Sequence, residues 1–165
     1  MHRRVRGLFV LLAGVSVIAG LAAVGGYAAA AYTVETGMVT VGGKQAKILT
    51  DAKGMTLYYF ASDTPTQSAC TAGCASAWPP LLSASAPTAE DPLPGKLSLV
   101  KTANGSQVAY NGHLLYRYSA DTAAGQANGQ GVASKWWVAS VDLKAAMSPG
   151  PSTSNGGTTK SSNGW

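Results

Sequence analysis

Cys70 and Cys74 stand four residues apart, and His113 is the one histidine beyond the first few residues of the chain. Thiolate and thioether donors select Cu(I), and imidazole suits copper as well. C-x3-C occurs at copper centres. Cys70, Cys74, His113 and Met55 therefore form a candidate metal set if the fold gathers them, with copper as the alternative to no cofactor at all. Against it, the trailing His and Met of a binuclear copper motif are missing after Cys74. A zinc cage needs four strong ligands where only three N/S donors stand, and the C-x-x-C-H pattern of haem attachment is absent. The simpler chemistry for two cysteines in an exported chain is a disulfide. Helical positions four apart hold their Cβ atoms about 5–6 Å from each other, whereas a disulfide requires about 3.5–4.5 Å. A bonded pair thus demands a loop or distorted turn, which Gly73 eases. So short a ring contributes only about 2 kcal/mol in the chain-entropy model and pins a loop rather than a fold.

Catalysis has few footholds. A Ser-His-Asp set would hinge on His113, which directly follows a hairpin turn, where inert histidines are common. Asp63 and Asp121 offer paired carboxylates, yet they occupy matching places in the repeat described next. The same structural task done twice, a carboxylate accepting loop N–H bonds just past a strand, is the simpler reading. No catalytic residue is assigned, and the expectation is a non-enzyme. Trp78, Trp136, Trp137, Tyr59 and Tyr110 supply enough aromatic surface to stack on a glycan. Neighbours on a strand face opposite ways, so one of Trp136 and Trp137 is a candidate for exposure. Trp137 is the ligand-stacking candidate because its partner in the repeat is not an aromatic.

Sliding the chain against itself by 58 residues reveals an internal duplication. Gly54, Leu57, Tyr58, Asp63, Thr64, Ala69, Gly73, Ala75, Ser76 and Trp78 meet identical residues, ten identities in the 25 positions from Gly54 to Trp78. Fixed-period self-similarity takes precedence over local readings. Two copies are too few for a solenoid, so the expectation is an all-β fold of mainly antiparallel hairpins. In it, two pseudo-symmetric units, about 45–82 and 103–142, pack as one small domain. The motif Y-x-[FWY]-x-x-D recurs as Tyr58, Phe60, Asp63 and as Tyr116, Tyr118, Asp121, beside C-x3-C-x3-W-P-P at Cys70 to Pro80 and Y-N-G-H at Tyr110 to His113. In these residues the chain resembles the secreted-repeat family often described as predicted lipoproteins, over about residues 45–142. The resemblance implies export and a repeat fold and carries no common activity. The chain departs from the lipoprotein form in lacking a lipobox cysteine.

These residues must be positioned by short strands and turns. Twenty glycines and 12% charged residues suit strands and tight turns better than long surface helices. Ala46–Thr50, the turn Asp51–Gly54 and Met55–Phe60 read as one hairpin. Gln107–Tyr110, Asn111-Gly112 and His113–Ser119 read as another, because Asn-Gly tolerates the positive φ of a type I′ turn. Leu97–Lys101 and Trp136–Val141 read as further strands, Ser83–Gly95 as the joining loop, and a helical turn fits near Ala72–Trp78. Tyr58 shares a strand face with Phe60, as Tyr116 does with Tyr118. Each pair is expected to pack under its own unit's tryptophan, Trp78 or Trp136.

Residues 1–31 have the order of a secretory signal: Arg3, Arg4 and Arg6, an apolar stretch from Gly7, then Ala28–Ala31 at a cleavage site. An uncleaved anchor over residues 7–32 is the competing reading, since the run is long enough to span a bilayer. The working domain is then 32–148. Residues 149–165, rich in Gly, Ser and Thr, form a tail with too little apolar content to order itself. Outside the leader nine Lys/Arg face seven Asp/Glu with no basic cluster, which excludes a nucleic-acid footprint. The expectation is a secreted or envelope-tethered interaction or structural domain whose partner is an envelope protein or wall polymer. Membrane contact would run only through the N-terminal segment. Copper or redox handling by the cysteine pair and wall-glycan binding are the alternatives.

Overall fold

The computed structural model describes residues 32–147. The signal, anchor and tail expectations fall outside these residues. The described residues are all-β apart from single turns of helix. Strands β1 (Glu35–Val41) and β2 (Lys44–Thr50) form one antiparallel hairpin. Strands β3 (Tyr58–Phe60), β4 (Leu97–Thr102), β5 (Gly105–Tyr110), β6 (His113–Tyr116) and β7 (Trp136–Val138) form an antiparallel sheet in the order β4-β5-β6-β3-β7. One helical turn, α1 (Gly73–Ala77), lies where the sequence suggests it. Among the described residues no helix is long and apolar enough to cross a membrane.

Several strands are shorter than their sequence suggests. Met55 and Leu57 lie outside β3, and Thr56 makes only a single bridge, to Thr50. Asp51 is the reason. Its Oδ1 accepts from the N–H groups of Lys53 (2.8 Å) and Met55 (3.0 Å), which draws these residues into a turn. In the second repeat the turn is the two-residue Asn111-Gly112, with φ of 48° and 80°, the left-handed geometry this dipeptide tolerates. Asn111 is held in place by Lys96 N–H donating to its Oδ1 and by its Nδ2 donating to the Leu143 carbonyl.

β3 and β6, the equivalent strands of the two repeats, lie side by side with Tyr58 directly opposite Tyr116. Each repeat then sends the chain following its tryptophan across to the other. Residues 79–81 run onto the second repeat: Arg117 N–H donates to the Pro79 carbonyl, Leu81 N–H to Leu115, and Val108 N–H to Leu81. Residues 139–141 run onto the first: Ala139 N–H donates to Leu57, Leu49 N–H to Ala139, and Val141 N–H to Lys47. Neither half therefore satisfies its backbone groups without partners from the other.

Alternation splits the interior in two. Leu115 faces one cluster with Leu49, Leu57, Leu81, Val108 and Tyr110. Leu114 and Tyr116 face a second with Tyr58, Cys70, Trp78 and Trp136. β6 is thus buried on both faces, as a central strand must be.

Candidate functional site

The residues that repeat converge in the second cluster and exchange partners there. The Tyr58 hydroxyl donates to Asp121 Oδ2 at 2.5 Å, and the Tyr116 hydroxyl donates to Asp63 Oδ2 at 2.6 Å. Each tyrosine therefore bonds the aspartate of the other repeat. The second oxygen of each carboxylate closes its own loop: Asp63 Oδ1 accepts from Ala69 N–H at 2.7 Å, and Asp121 Oδ1 from Asn128 N–H at 3.0 Å. Both phenols are fully buried. Burial first, and then the hydrogen bond to a carboxylate, push Tyr58 and Tyr116 well above the ordinary phenol range. Burial also raises Asp63, against the opposing pull of the Tyr116 O–H and Ala69 N–H bonds.

The rings make a second exchange. Trp78 and Trp136 stack on each other at 3.8 Å between centroids and 1° between planes. Phe60 stacks on Trp136 at 4.3 Å and Tyr118 on Trp78 at 4.0 Å, giving a four-ring column. This corrects the expectation that each aromatic pair packs under its own tryptophan. Only Tyr58 and Tyr116 do so, edge-on, at 5.4 and 5.1 Å. Phe60 and Tyr118 cross over, because the chain that carries each tryptophan has itself crossed to the other half. Gly129 permits the closeness. A Cβ there would meet the Trp78 ring at 2.7 Å and the Tyr58 ring at 2.8 Å, and its N–H donates to the Tyr58 hydroxyl.

The candidate copper set does not assemble. Cys70 and Cys74 are bonded to each other with Cα atoms 5.2 Å apart. The bond is reached because Ala72, at φ 48°, turns the chain out of helix between them. His113 Nε2 lies 3.0 Å from the Lys144 carbonyl, and its ring packs on Tyr59 at 4.6 Å. Burial lowers the His113 pKa below the ordinary imidazole range, against that hydrogen bond. The Met55 N–H is held by Asp51. Among the described residues no three His, Cys, Asp or Glu side chains gather at metal-binding distance.

Of the five aromatics that could have formed a stacking platform, Trp78, Trp136 and Tyr110 are buried. Tyr59 and Trp137 remain, directly opposite each other on β3 and β7 and both half-buried. Direct partners share a sheet face, so Trp137, Tyr59 and His113 form an aromatic strip there. Sequence reasoning missed the ion pair between Arg117 and Asp51, Nε to Oδ2 at 2.5 Å, with the carboxylate buried and the guanidinium partly exposed. The available signal was Arg117 standing where the first repeat has Tyr59.

Crossed strands and exchanged Tyr–Asp pairs define a two-repeat, all-β protein in which each half completes the other. The chain belongs to a family described as a secreted repeat of unknown function, whose model matches twice, over residues 39–82 and 98–140. The family's description places the chain outside the cytoplasm. No curated protein and no solved structure matches it. The two matched segments begin 59 residues apart and end 58 apart, close to the 58-residue offset of the internal duplication.

Proposed function

We propose that the chain is a non-enzymatic interaction and structural module of the cell envelope. The observation that carries this reading is the reciprocal use of the motif: Tyr58 with Asp121, and Tyr116 with Asp63. The repeated acid and phenol groups satisfy one another inside the molecule, and the cysteines satisfy each other. These groups build a stiff body, and contact with a partner falls to its surface. The strip of Trp137, Tyr59 and His113 favours a wall glycan as that partner. Half-buried aromatic rings on one sheet face offer flat apolar surface to a sugar ring, and the Tyr and Trp rims carry hydrogen-bonding groups.

Co-sedimentation of the purified protein with isolated cell-wall polymer tests both readings. Retention by the wild type, lost in Trp137→Ala at unchanged thermal stability, supports the glycan reading. Retention that survives Trp137→Ala but fails after protease treatment of the wall material points to an envelope protein instead. Reproducible hydrolysis or transfer on the polymer overturns the non-enzyme reading.

A further inference from the structure

The column of rings and the two phenol–carboxylate pairs lie in continuous contact, and together they have a chemical property that packing alone does not require. A phenol that loses one electron becomes a strong acid. The electron therefore leaves readily only where a base takes the proton in the same step. Tyr58 and Tyr116 each have such a base, Asp121 and Asp63, at 2.5 and 2.6 Å, the first pair buried and the second partly buried, and hydrogen bonds to a carboxylate are strong where water is scarce. Each phenol ring touches an indole, and the indoles stack on each other at 3.8 Å. The two ends of the column differ. Tyr118, at one end, is half-buried and oxidisable, whereas Phe60, at the other, has no oxidisable group. Of the two end rings of the column, Tyr118 is thus the one that can itself be oxidised.

We propose that this interior is a one-electron relay, entered at Tyr118, that stores an oxidising equivalent as a neutral tyrosyl radical on Tyr58 or Tyr116. The oxidant is a one-electron acceptor at the surface, such as an oxygen-centred radical or an oxidised metal complex. It gains one electron, drawn through Tyr118 and Trp78. The O–H bond of Tyr58 breaks, and its proton forms the carboxylic acid of Asp121. Through Trp136 the same step on Tyr116 protonates Asp63. A one-electron reductant of the thiol or enediol class restores the phenol when the proton returns. The module would thereby intercept oxidants outside the cytoplasm without losing its fold.

The full chain is tested with tris(bipyridyl)ruthenium(III), generated by a light flash with persulfate as the terminal acceptor, and read by transient absorption and freeze-trapped EPR. A tyrosyl signal is expected that is largely lost in the Tyr58→Phe/Tyr116→Phe double variant and unchanged in Tyr59→Phe. Equal radical yield in the double variant, or loss of the signal in Tyr59→Phe, overturns the relay. Should circular dichroism show the double variant unfolded, Tyr118→Phe decides from the half-exposed end. Several-fold slower appearance of the radical supports the relay, and an unchanged rate overturns it.

Discussion

Two loops run from an aspartate to a tryptophan, residues 63–78 in the first repeat and 121–136 in the second, and they do the same work by different means. The first is closed covalently by Cys70–Cys74 and contains the helical turn α1. In the second, Asn128 and Val132 stand at the cysteine positions. There Asn128 N–H bonds Asp121, Gln130 Oε1 accepts from Val138 N–H, and Val132 packs on the aromatic cluster. Gly131, Ala133 and Ser134 all take positive φ to make the bend, a conformation with a real cost for the two non-glycine residues. Both loops nevertheless deliver a carboxylate to the opposite tyrosine and an indole to the central stack. The disulfide is thus one of two ways to hold a loop whose shape the interior requires.

If the halves share the load equally, Trp78→Ala and Trp136→Ala should each destabilise the protein by about 3–5 kcal/mol, the usual range for a buried large aromatic. Urea unfolding of both variants checks this, and a wide gap between them would mean that one half dominates. Next in size, Tyr58→Phe and Tyr116→Phe each leave a carboxylate short of a donor, at about 1–3 kcal/mol. The larger loss is expected for Tyr58→Phe, because Asp121 is 6% exposed while Asp63 is half-buried. An equal loss would sink that distinction.

The same tyrosines set the alkaline limit. Their folded pKa values lie above the unfolded phenol value of about 10. Their stabilisation is therefore complete below that pH and is lost as pH rises through the folded values. Urea midpoints measured upward from pH 9 should fall in the wild type and fall less in the double phenylalanine variant.

Reduction of Cys70–Cys74 should cost about 2 kcal/mol or less. Hydrogen exchange should rise in residues 66–77 and not in 124–135. Exchange rising equally in both loops would show that the cystine supports the whole interior. The smallest effect belongs to Trp137→Ala. Trp137 pairs with Tyr59 on β7 but lies outside both buried clusters, so thermal stability should stay nearly unchanged.

The duplication, the hairpin of the second repeat, the Asn-Gly turn and the cystine were legible in the residues themselves, because turn chemistry and alternation act over a few positions. The expected hairpin of the first repeat was not, because β2 takes β1 as its ladder partner and β3 takes β6 and β7, leaving one bridge from Thr50 to Thr56 between them. The strip of Tyr59, Trp137 and His113 was only half legible. Alternation separates Trp137 from Trp136, but nothing local says that β7 docks on β3 to set Trp137 opposite Tyr59. The Asp51–Arg117 pair was not legible at all, since it joins a turn of one repeat to a strand end of the other.

The sequence by itself determined that two like units exist and which side chains they share. Which unit's aspartate answers which tyrosine, and which ring lies on which indole, only the tertiary structure decided. Both aspartates are chemically identical partners for both phenols, and no local preference separates them. The choice falls to the crossing of the chain after each tryptophan, where backbone N–H and C=O groups find their partners in the other half.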